Sequence, residues 1–142
     1  MKRIFIILVA ALLITGCSFI EETKEKTMAE ISNWCNETMI DNGLNEIKDY
    51  LTSKASDIDV EQTLSQLESS ITQLKEYNEE MQLVDDQEIK DAWDKLYNEM
   101  IKNYNLVKDK DLDSSTSIKG FDTTKLEQYQ KEFEELISQK SE

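Results

Sequence analysis

Histidine and proline are absent from the 142 residues, and there are only three glycines and two cysteines. Each shortage removes a class of chemistry or structure. Without histidine there is no Ser-His-Asp or Cys-His mechanism, no imidazole acid-base catalysis and no common zinc site. Without proline, and with only Gly16, Gly43 and Gly120, turns are few and no glycine-rich loop exists to cradle a phosphate. Positive charge is also scarce, with 16 Lys and Arg against 30 Asp and Glu. Such a surface repels nucleic acid and anionic headgroups and suits a cationic peptide or a divalent ion, although acidity of this kind also serves solubility alone.

Long apolar runs are missing except at the start. Lys2 and Arg3 precede an uncharged apolar stretch from Ile4 to Ile14, too short to cross a bilayer, which takes about 20 such residues. It ends in Ile14-Thr15-Gly16-Cys17. These four residues resemble the lipobox of bacterial lipoproteins, in which an aliphatic residue, a small or polar one and Gly or Ala precede a cysteine. The resemblance implies that Gly16 leaves room at the cut site, that Ile14 fills an apolar peptidase pocket, and that the Cys17 thiol takes the diacylglycerol. It implies a cleaved signal peptide over 1–16 and a lipid-anchored acidic domain over 17–142, on the extracytoplasmic face of the cell membrane. Acyl chains such as palmitate then replace the peptide as anchor, since each buried CH₂ contributes about 0.8 kcal/mol and two chains suffice. The alternatives are an uncleaved membrane anchor or an ordinary secretory signal. Loss of Lys2 and Arg3 takes the formal charge from −14 to −16. Cys35 is then the only free cysteine, so the mature chain forms no internal disulfide.

Beyond the signal, hydrophobic spacing reads as helix. A first stripe runs from Ile20 through Met28, Ile31, Trp34 or Cys35, and Met39. Asp41-Asn42-Gly43 reads as a helix stop, with Gly43 at the left-handed C′ position. Leu44, Ile47 and Leu51 follow as a short stripe ending near Ser53 to Ser56, either a separate helix or the first one carried past a tolerated glycine. The next helix begins at Asp57 or Asp59, either of which can cap, and Asp59 with Gln62 resembles a capping box. It opens a heptad seam of Val60, Leu64, Leu67, Ile71, Leu74 and Met81, in which Asn78 takes an apolar place. Glu79 and Glu80 behind it put Asn78 at the wet end of the bundle, with a register-fixing contact as the alternative. Asp85 with Glu88 resembles another capping box, before Ile89, Trp93, Leu96, Met100 and Tyr104 or Val107, a face that Tyr97 and Ile101 widen. Core packing is the expected use of that aromatic face, a ligand cleft the other. A polar loop spans Lys108 to Gly120. Phe121 and Leu126 then flank Asp122 as a hydrophobic staple before a last stripe of Leu126, Tyr129, Phe133, Leu136 and Ile137. Such faces bury one another most economically as an all-α antiparallel bundle of three to four helices.

Few residues carry candidate chemistry. Asp109, Asp111 and Asp113 alternate as the first three ligands of an EF-hand loop do. The sixth position, which needs glycine, is Ser114, and the twelfth, which needs glutamate, is Gly120. The three aspartates are therefore weak candidates for calcium, with Ser115, Ser117 or Asp122 as further ligands, and a solvated acidic loop with no metal is the expectation. Cys35, beside Trp34, reads as a small buried hydrophobe. A reactive thiol would lack any histidine to activate it. No catalytic residue and no cofactor is expected, and an enzyme is not.

The whole chain resembles small helical lipoproteins of low-GC Gram-positive bacteria, through the lipobox, the acidic run Glu21, Glu22 and Glu25, and richness in Lys, Asn, Ile and Glu without proline. Ser18 is not the Asp that retains a lipoprotein at a Gram-negative inner membrane, so an outer-membrane place is also compatible. The expected function is a tethered binding or blocking protein, as in immunity to a basic bacteriocin or toxin or exclusion of phage or conjugating cells, with the membrane and a cationic peptide or protein as partners. The alternative is a structural or accessory envelope lipoprotein without a soluble ligand. A pheromone role for the released signal peptide is a further idea.

Overall fold

The computed structural model describes residues 28–52, 57–113 and 117–140. The signal segment, Gly16, Cys17, Ile20 and the acidic run after the cysteine lie outside them, as do 53–56 and 114–116. The described chain is all-α, with four helices and no strand. None of these helices is long and apolar enough to cross a membrane. We label them α1 (28–51), α2 (Val60–Met81), α3 (Gln87–Val107) and α4 (Thr124–Lys140).

Helix α1 passes straight through Asp41-Asn42-Gly43, so the stop expected there does not occur and residues 44–51 continue the first helix. Over Cys35–Leu44 the backbone widens to π geometry, and at its end the Asn45 N–H donates to the Ile40 carbonyl five residues back. The cause lies in the side chains. Cys35, Met39, Ile40, Gly43, Leu44 and Ile47 are all buried. At about 100° per residue in an α-helix these positions would spread over about half the circumference. The wider i→i+5 turn gathers them on one face and leaves Asp41 and Asn42 outside. Gly43 makes the close approach to α2 possible: a Cβ there would stand 2.6 Å from Leu67 Cδ2 and 2.8 Å from the Thr38 carbonyl oxygen.

Helix α2 begins where the capping box predicts, with the Gln62 amide donating to Asp59 Oδ1 at 3.1 Å. Its buried edge is Val60, Thr63, Leu67, Leu74, Tyr77 and Met81. Leu64 and Ile71 are only half-buried beside it, so the seam is rotated slightly from the expected one, toward the glycine gap in α1. Asn78 is not merely wet: its Oδ1 accepts from the buried Trp93 indole N–H at 2.8 Å. Helix α3 starts one residue later than expected, capped by Asp86 rather than Asp85, whose Oδ1 accepts from the Ile89 amide at 3.2 Å. Its core face is Ile89, Trp93, Leu96, Met100, Tyr104 and Val107, as the stripe predicts.

The loop to α4 is held from inside. Asn103, fully buried, donates to the Glu99 carbonyl (2.9 Å) and accepts the Asp122 N–H (3.1 Å). Leu112, Ile118 and Phe121 pack on the core. Gly120 has φ +86°, a conformation that side chains resist. Asp122 Oδ1 then accepts the Thr124 amide at 2.9 Å, and α4 buries Leu126, Gln130, Phe133 and Ile137. Gln130, unforeseen as a core residue, donates across to the Ser32 carbonyl and Oγ on α1 at 3.0 and 2.9 Å.

Candidate functional site

The residue with the clearest assigned chemistry, Cys17, and its neighbour Gly16 lie outside the described residues. The other thiol, Cys35, is fully buried in α1, and burial pushes it far above the usual thiol range. A group that is neither exposed nor ionised is a packing unit, not a nucleophile.

Asp109, Asp111 and Asp113 leave the end of α3 with all three residues exposed, while Leu112 between them turns toward the core. Asp122 is engaged with the Thr124 amide, which holds its carboxyl below the usual range. Ser117 is exposed, and Ser114 and Ser115 lie outside the described residues. Among the described residues, no group of three or more Asp, Glu, Cys or His is placed to hold a metal ion.

Acidic charge also gathers near Tyr77, between α1 and α2. Tyr77 lies edge-on to Trp34, with ring centroids 5.1 Å apart and planes at 74°. The charges of Glu80, Glu30 and Glu76 reach the Tyr77 hydroxyl, which burial first and Glu80 next push up to about 12. Glu80 rises to about 7, through desolvation and then the negative charge of Glu76. Trp34 remains half-exposed. An aromatic surface rimmed by carboxylates suits a cationic side chain, since the ring face and the acids attract the same charge. Sequence reading missed Tyr77, although its place three residues after Leu74 and four before Met81 repeats the 3,4 spacing of the seam.

At the other end of the bundle, Lys48, Leu51, Thr52, Ser117, Ile118, Phe121, Asp122 and Thr123 line an open recess of about 370 Å³. Thr123 is fully buried there, and its Oγ1 meets no hydrogen-bond partner among the described residues.

Residues 1–18 match the family of the prokaryotic membrane lipoprotein lipid attachment site. The chain is thus a lipoprotein anchored to a membrane through lipid on its cysteine. No curated protein and no solved structure matches the chain.

Proposed function

We propose that the protein is a binding or blocking lipoprotein of the extracytoplasmic membrane face, that its partner is a cationic peptide or protein, and that it is not an enzyme. The observation that carries this reading is the excess of carboxylates on a tethered bundle, 30 acidic residues against 16 basic. Part of it, from Glu80, Glu30 and Glu76, acts on Tyr77, which lies edge-on to the half-exposed Trp34. Glu80, raised to about 7 by desolvation first and by the charge of Glu76 second, gains stability as a carboxylate when a cation stands beside it. The lipid attachment site supports the location, because a lipobox acts on chains exported across the membrane. Immunity to a basic bacteriocin or toxin, or exclusion of phage or conjugating cells, is the biological form this takes.

The test selects a basic peptide on the lipidated protein and compares it with its scrambled sequence at two salt concentrations. The selected peptide should bind more tightly, and both should weaken as salt shortens the screening length toward about 10 Å at 0.1 M. Glu76→Gln with Glu80→Gln should remove the difference between the two peptides. Asp109, Asp111 and Asp113 changed to Asn should lower both affinities equally. Cells expressing the protein should survive a basic bacteriocin, and Cys17→Ser should abolish that protection. Equal affinities of selected and scrambled peptides would overturn the reading in favour of an envelope protein without a soluble ligand.

A further inference from the structure

Successive pairs fix which chain segments share an end of the bundle. Trp34 meets Tyr77 and the Gly43 position meets Leu67, so α1 and α2 run antiparallel with a constant register. Extending that register brings Met28 level with the turn after Met81. Trp93 lies 5.5 Å from Phe133, and Lys140 binds Asp86 at 2.7 Å and Glu88 at 3.3 Å, which brings the end of α4 to the start of α3. Met28, the α2–α3 turn and Lys140 therefore share one end, and the 108–122 loop occupies the other. Leu83 in that turn is 66% exposed, and among the described residues it is the large hydrophobic side chain left in solvent.

Two independent observations thus select the same end: the chain arrives there from the lipidated cysteine, and the exposed leucine stands there. We propose that the α2–α3 turn faces the bilayer, with Leu83 inserted into its interfacial region and the opposite end of the bundle outermost. Tethering makes the contact intramolecular, so it needs far less affinity than binding from solution. Insertion is shallow, because Asp85 and Glu88 are exposed beside Leu83 and stay in water. This rests on the lipid anchor, and it sets Glu30 and Glu80, the carboxylates of the proposed partner face that lie at the same end, close to the membrane surface.

The test uses the lipidated protein in phosphatidylcholine vesicles, with an environment-sensitive fluorophore attached at Leu83→Cys or, as a control from the other end, Lys110→Cys. Both sites are exposed, so neither change threatens the fold. Cys17 carries lipid and Cys35 is fully buried, so labelling is selective. Bromine on the lipid acyl chains should quench the Leu83→Cys label at least about twofold more than the Lys110→Cys label. Equal quenching at the two sites, stronger quenching at Lys110→Cys, or none at either would overturn the proposal.

Discussion

Gly43 illustrates how one residue reverses an expectation. In an ordinary exposed helix, replacing Gly by Ala gains about 1 kcal/mol. Here an added methyl meets Leu67 and, less yieldingly, the Thr38 carbonyl at 2.8 Å. Overpacking of this kind costs about 1–3 kcal/mol. Gly43→Ala should therefore lower the urea midpoint of unfolding, and an unchanged or raised midpoint would mean that α1 and α2 do not approach so closely. Asn78 supplies a second case. Its Oδ1 is the acceptor for the buried Trp93 indole, so Asn78→Leu should cost about 1–3 kcal/mol by stranding that N–H. In a Trp93→Phe background the same change should cost much less, and a double-mutant cycle reads the difference.

Among the helices, α3 and α4 are joined where their opposite ends meet. Asp86 caps α3 through the Ile89 amide and also receives Lys140 from the last turn of α4. The Lys140 ammonium, above all, and then the Ile89 amide hold its carboxyl below 3.8. A depressed carboxyl stabilises the fold above its unfolded value, and that contribution disappears as pH falls through the folded value. The wild type should melt at a higher temperature than Asp86→Asn at pH 6, with the gap closing as pH drops below 3.8. A gap that persisted unchanged in acid would assign the effect to cap geometry instead of charge. The element α1 was the least legible from sequence. Its buried positions 35, 39, 40, 43, 44 and 47 keep ordinary helical spacing over about half the circumference, so nothing in the pattern distinguished a π segment from an α-helix. Asp41-Asn42-Gly43 pointed to a stop because local turn chemistry was all the sequence displayed; the Leu67 side chain that occupies the glycine's space belongs to another helix.

For the molecule as a whole, the core is continuous from Met28 to Ile137 and is built from all four helices. Leu67 and Leu96 are 1% and 0% exposed, so replacing either with Ala should cost about 2–5 kcal/mol, measured by chemical denaturation of the non-lipidated domain. A loss below about 1 kcal/mol at both would contradict this core. The sequence by itself determined the lipid attachment site, the acidity, the all-α class and the α3 face. These are local or periodic signals, carried by residues next to one another or one turn apart. Tertiary structure alone decided that α1 continues through Gly43, that Asn78 serves Trp93, that Gln130 crosses to Ser32, and that Trp34 and the charge of Glu30 come from α1 to Tyr77 on α2. Each of these depends on how one helix is rotated against another, and that rotation is set by the fit of side chains distant in sequence, which no spacing within a single helix records.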